Sequence, residues 1–191
     1  MYDEQGHLLG EYNSTGQRIE ETVWLKDAPV AVMTGTGTPT FYALSPDWQN
    51  TPHVIANSSG TFAWTWDRLD FGNNAPNQNP GGLGTFVYNP RFPGQLSDVE
   101  SGLSYNMARD YNPVFGRYIQ SDPIGLLSGI NTYGYVAGNP LRYTDAMGLI
   151  LPVGKIVCGW DKNRLCNAAP SKSGAGKRMV FGFEPMPAAS M

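Results

Sequence analysis

A ten-residue step at the start of the chain limits its fold more than any other feature. Tyr2-Asp3-Glu4-Gln5-Gly6-His7-Leu8-Leu9-Gly10-Glu11 is followed directly by Tyr12-Asn13-Ser14-Thr15-Gly16-Gln17-Arg18-Ile19-Glu20-Glu21. Tyr2 matches Tyr12, Asp3 matches Asn13, Gly6 matches Gly16, and Leu9 matches Ile19. An aromatic strand end, an Asx residue opening a turn, a Gly closing it and a returning strand make one hairpin unit. A unit this short buries little by itself and must stack on neighbours, so antiparallel strands are expected here. Ile55-Ala56-Asn57-Ser58-Ser59-Gly60-Thr61-Phe62 is a degenerate third version. With no capping element ahead of the first unit, the sequence reads as the end of a longer array.

The rest of the chain agrees with a mainly β fold. Charged residues are only 15%, while 23 Gly and 15 Pro supply many turns, a balance unlike that of helical bundles. At 41% hydrophobic the chain is not compositionally disordered. Strand patterns occur at Thr22-Val23-Trp24-Leu25, Val30-Ala31-Val32-Met33, Phe41-Tyr42-Ala43-Leu44 and Phe62-Ala63-Trp64-Thr65-Trp66, the last with period-two alternation. Residues 72–85 are dense in Gly, Asn and Pro and read as an exposed loop. Strand character returns at Phe86-Val87-Tyr88, Leu103–Met107 and Gly116–Ile119. The stretch Leu126–Val136 lacks strict alternation and has room for a short helix ended by Gly138-Asn139-Pro140. Trp24, Trp48, Trp64 and Trp66 are read as sheet and core packing.

Residues 150–191 are a different object. They carry six Lys or Arg against two Asp or Glu, a net of +4, which leaves −7 for residues 1–149 out of the chain total of −3. Forty-two residues are few for an independent enzyme, and this tail is expected to be poorly ordered. Its Cys158 and Cys166 are the only cysteines, and their spacing matches no zinc pattern, so no metal is expected. Ser171-Lys172-Ser173-Gly174-Ala175-Gly176-Lys177-Arg178 lacks the first Gly and the hydroxyl residue of a phosphate loop. His7 and His53 lie far apart and form no nucleophile-activating set. No cofactor is implied. No apolar run of 18 residues exists to enter a membrane, and Met1-Tyr2-Asp3-Glu4 begins no signal peptide.

The ordered motifs from Phe92 to Leu149 resemble those of a known family. They are Phe92-Pro93-Gly94-Gln95, Glu100–Asn106, Arg109-Asp110-Tyr111-Asn112-Pro113, Gly116–Leu126 with its Ser121-Asp122-Pro123-Ile124-Gly125-Leu126, and Gly129–Pro140. Asp47–Pro52 and Trp64-Thr65-Trp66-Asp67 look like the segment ahead of that core. Together with the repeats, residues 2–149 resemble the Rhs/YD-repeat proteins and their repeat-associated core, from a polymorphic toxin system. The resemblance implies a β-sheet strip spiralling into a cocoon, divided here as 1–91 shell, 92–149 core and 150–191 variable tail. It also implies an aspartyl autoprotease that frees the C-terminal piece by cutting after the Leu of a second DPxGL-like motif, here Asp145-Ala146-Met147-Gly148-Leu149. Ala146 departs from the usual Pro.

The chemistry of that reading rests on Asp122 and Asp145. Two carboxyl groups within hydrogen-bond range do not both ionise easily, and such a pair performs acid/base catalysis without a metal. The scissile bond is then Leu149–Ile150, held in cis at high effective concentration. Arg117 and Arg109 are candidates to steady a carboxylate or the developing oxyanion, against the alternative of structural ion pairing. Competing readings are a non-catalytic structural fragment that docks on other YD-repeat sheets, and a minimal basic toxin in the tail. Implied partners are the remaining shell, a cognate immunity protein and secretion machinery, with nucleic acid only if the tail is a toxin. The expected location is secreted or cell-surface within a full-length protein, and cytoplasmic for an orphan fragment.

Overall fold

The computed structural model describes residues 1–149 and, beyond them, the backbone of two short paired strands, Lys155–Val157 and Leu165–Asn167. Two antiparallel sheets make up the rest. The first is a six-stranded meander of β1 (Gly10–Tyr12), β2 (Arg18–Leu25), β3 (Ala28–Thr34), β4 (Thr40–Pro46), β5 (Pro52–Ala56) and β6 (Phe62–Thr65), each pairing with the next. The second has the order β10-β9-β8-β7, from β7 (Leu96–Asp98), β8 (Leu103–Asn106), β9 (Arg109–Asn112) and β10 (Arg117–Tyr118). Neither closes into a barrel.

The repeat is built on one local device. Asp3 Oδ1 accepts from the amides of Gln5 and His7, and Asn13 Oδ1 from those of Thr15 and Gln17. Asn57 Oδ1 does the same for Ser59 and Thr61. In each turn the residue three positions on is a Gly in the left-handed region, Gly6, Gly16 and Gly60, which a glycine enters without a steric penalty. A fourth copy lies between β4 and β5, where Asp47 Oδ1 takes the amides of Gln49 and Thr51. There Asn50, at φ 64°, replaces the Gly. Asn tolerates that conformation better than most residues, but the sequence pattern hides the turn.

Alternation then sorts the side chains. Val32, Leu44, Ile55 and Trp64 face inward and pack with Trp66 and Tyr88, flanked by Tyr42 and Phe86. Val23, Ala31, Ala43, Ala56 and Phe62 follow one another across the other face by strand register. Phe41 and Phe62 remain exposed there. Residues 72–85 contain no buried residue, as a loop should. Phe86-Val87-Tyr88, expected as a strand, makes no ladder. Its alternation is satisfied differently, since Phe86 and Tyr88 pack onto the first sheet while Val87 is exposed.

A second core gathers Phe92, Tyr111, Tyr118, Tyr135 and Val136, with Tyr143 beside it. Trp66 meets Phe92 edge-on at 6.0 Å and joins the two cores. Arg68 ties to Asp47 at 2.9 Å, and its guanidinium lies over Phe92 at 4.9 Å. The helical stretch expected over Leu126–Val136 resolves into two short 3-10 turns, Gly125–Ser128 and Val136–Gly138. The first buries no residue, so no apolar stripe supports a longer helix. Gly125, Gly129 and Gly138 all sit at positive φ and break the run. No helix among the described residues is long and apolar enough to cross a membrane.

Candidate active site

Arg109 organises the second core. The alternation of β9 points Arg109 and Tyr111 inward, and the Arg109 side chain is 1% exposed. A guanidinium so buried must be paired on every side. Its Nε donates to Gly148 O at 2.6 Å and its Nη1 to Thr132 O at 3.0 Å. Nη2 donates to Asp145 Oδ2 at 3.3 Å and lies 2.9 Å from Asp122 Oδ2. The plane of the group covers the Tyr118 ring at 3.6 Å.

The two aspartates therefore meet on one nitrogen. Since Nη2 is 2.9 Å from one carboxylate oxygen and 3.3 Å from the other, those oxygens are separated by no more than the sum of the two, about 6 Å. Asp122 arrives on an Asx turn, its Oδ1 accepting from Ile124 N at 2.9 Å while its own amide bonds to Thr132 O. Its Oδ2 lies off the N–H directions of Arg109, so it is an ion-pair oxygen with no hydrogen bond. Asp145 is held more fully. Tyr118 OH donates to its Oδ2 at 2.7 Å, and Leu149 N donates to its Oδ1 at 2.9 Å. Asn106 Nδ2 donates both to Asp145 O at 2.9 Å and to Tyr118 OH at 2.8 Å. Burial pushes the Asp145 carboxyl above the usual carboxylate range, against the opposing pull of Tyr118, Leu149 and Arg109.

Close packing seats the loop that carries Asp145. A Cβ on Gly94 would strike the backbone of Ala146, and a Cβ on Gly148 would strike the carbonyl of Asn106. Gly148 also sits at φ 64°. The Phe92–Gln95 turn and the β8–β9 turn thus clamp Asp145–Leu149 from two sides. This places Leu149 against Asp145, whereas Ile150 lies outside the described residues, as do Cys158 and the side chain of Cys166.

Of the sequence candidates, Asp122, Asp145, Arg109 and Leu149 come together. Arg117 does not join them. Tyr118 next to it faces the core, so alternation puts Arg117 on the exposed side of β10, pairing through its backbone with Asn112 and Gly134. Among the described residues its side chain makes no hydrogen bond or ion pair with either aspartate. Sequence reasoning passed over Asn106 and Tyr118. The available signal was the strand pattern, because an inward Tyr118 forces Arg117 outward.

Comparison with known proteins follows the same lines. No family model matches the chain. The toxin protein Tse5 of Pseudomonas aeruginosa is 38% identical over 107 residues, covering 56% of this chain and 8% of its own length. The probable deoxyribonuclease RhsB of Dickeya dadantii is 31% identical over 171 residues, covering 83% of this chain and 11% of its own. The chain belongs to the Rhs family. This Rhs chain spans less than half the length of the curated relatives it matches. Its fold recurs in the crystal structure of TcdB2-TccC3 without hypervariable C-terminal region, with a TM-score of 0.55 and 24% identity over 72% of this chain and 7% of that one.

Proposed function

We propose that residues 92–149 hydrolyse the Leu149–Ile150 bond of their own chain and so free residues 150–191 from an Rhs shell formed in part by residues 1–91. The observation that carries this reading is the buried pair Asp122 and Asp145 on one Arg109 nitrogen, with the Leu149 amide bonded to Asp145. One ionised carboxylate takes a proton from water as its oxygen adds to the Leu149 carbonyl carbon. The other, protonated, gives its proton to the carbonyl oxygen. On collapse the C–N bond breaks, the Ile150 nitrogen takes the first proton, and the second returns to its carboxylate. Leu149 leaves as a carboxylic acid and Ile150 as an amine. No metal enters this scheme.

The relatives support a toxin setting, since Tse5 is named a toxin and RhsB a deoxyribonuclease. A hypervariable C-terminal region is named for the TccC3 structure, and residues 150–191 occupy the corresponding place in our reading. The remaining shell, an immunity protein and a secretion route are the partners that follow, with delivery outside the producing cell. Intact mass and N-terminal sequencing after expression test the proposal. A new N-terminus at Ile150 is expected in the parent and lost in Asp122→Asn and Asp145→Asn. A double Asn chain cut as fast as the parent would overturn it, and an uncut parent would favour the structural fragment.

A further inference from the structure

The two aspartates are not equivalent. Asp145 receives three donors, two of them on Oδ2, while Asp122 receives the Ile124 amide on Oδ1 and has Arg109 Nη2 2.9 Å from Oδ2. A hydrogen bond donated to a carboxylate favours its charged form. We infer that Tyr118, held by Asn106, is the positioning residue for Asp145, aiming at its Oδ2 a hydrogen bond that favours the charged form of this buried carboxyl. The consequence for cleavage rests on the self-hydrolysis reading, but the role of Tyr118 at Asp145 does not.

The geometry makes the Tyr118 hydroxyl a one-way donor. Its oxygen accepts from Asn106 Nδ2 at 2.8 Å, which orients its single hydrogen to Asp145 Oδ2 at 2.7 Å. Asn106 is fully buried and also grips the Asp145 carbonyl, so one amide fixes both the hydroxyl and the backbone that bears its acceptor. Burial, followed by the charge of Asp145, holds the Tyr118 phenol far above its ordinary range, so it keeps its proton throughout the working pH. The charged and titratable groups facing Asp145 are Arg109 from β9, Tyr118 from β10, Asp122 from its turn, and Tyr135 from the aromatic core. Arg109 Nη2 lies between the two carboxylates and is nearer Asp122, so it does not select Asp145. Among these groups Tyr118 makes the strongest pull on Asp145 against burial.

The test follows both carboxyl groups by carbon NMR through a pH titration of the full chain, comparing parent and Tyr118→Phe in the same covalent state. Phe keeps the ring in the aromatic cluster and removes only the donor. A hydrogen bond to a charged group is of a size that shifts titration by about 1–2 pH units, so Asp145 is expected to move up by that amount. Asn106→Ala, which frees the hydroxyl but keeps it, is expected to move Asp145 the same way and less far, and decides the matter if the Phe variant fails to fold. An unmoved Asp145 in both variants, or a shift confined to Asp122, overturns the inference. The pH profile of the cleavage rate should shift upward with Asp145. A parent chain that is never cut refutes self-hydrolysis while the titration still decides the role of Tyr118.

Discussion

Replacing Glu20 with Gln should stabilise the chain at neutral pH and leave it almost unchanged near pH 4.5. Glu20 lies on the buried side of β2, opposite Glu11 of β1, and its Oε1 has no hydrogen-bond partner. Burial, and then the charge of Glu11, push its carboxyl up to about 8 from an ordinary 4.5. The folded chain therefore keeps a proton that the unfolded chain releases between those values. Stability falls as pH rises through that window, because unfolding is favoured by the free ionisation of Glu20. At about 1.36 kcal/mol per unit, the cost at pH 7 has a ceiling of about 3 kcal/mol.

Gln has the same shape and no charge, so it removes this dependence and adds an amide. For a chain of this size the gain corresponds to about 6–12 °C in melting temperature at pH 7. Thermal unfolding of parent and Glu20→Gln at pH 5 and pH 8 measures it. The two chains should nearly coincide at pH 5 and separate at pH 8, with Gln the more stable. The same gap at both values, or Gln the less stable at pH 8, would refute the idea that Glu20 is held protonated.

Arg109→Met should cost about 3–5 kcal/mol, since it strands Asp122 and Asp145 in the core without their cation; urea unfolding reads this directly. That variant should recover part of its stability as pH falls and the two carboxyl groups take up protons. Gly94→Ala should destabilise the chain more than Gly60→Ala. Both sit at positive φ, but only the Gly94 methyl runs into the Ala146 backbone, while Gly60 faces open space. The left-handed penalty alone is about 1–2 kcal/mol, so a Gly94→Ala loss inside that range would show that the clamp on Ala146 is loose.

The sequence makes the strands and turns of residues 1–71 legible because each is dictated locally. Asx residues and glycines open and close the turns, and period two fixes which side chains go inward. The fourth turn escaped because Asn50 stands where the other copies have Gly, so the residue-type pattern breaks while the backbone geometry persists. Phe86-Val87-Tyr88 misled for the opposite reason. Its alternation is real, yet the partner of Phe86 and Tyr88 is the face of a sheet and not a neighbouring strand. Apolar period reports which side is buried; it does not report what supplies the hydrogen bonds.

The site divides along the same line. Asp122 and Asp145 were visible through the resemblance of their motifs to the Rhs core, since Asp122-Pro123 alone is an ordinary turn opener and Asp145 is followed by Ala146. What brings them together is not local. Arg109 is 13 positions before Asp122 and 36 before Asp145, and only the β8–β9 hairpin, the turn at Thr132 and the Gly148 carbonyl converge to make it their shared counter-ion. Choosing between Arg109 and Arg117 needed the strand faces, because both arginines lie in equally suggestive motifs. Tyr118 supplies the deciding constraint. Its ring is fully buried against Tyr111 and Tyr135, so its neighbour Arg117 has to point away, and its hydroxyl has to find partners inside the core. The partners it finds are Asn106 and Asp145. The same aromatic packing that closes the second core thus also aims the Tyr118 hydroxyl at Asp145.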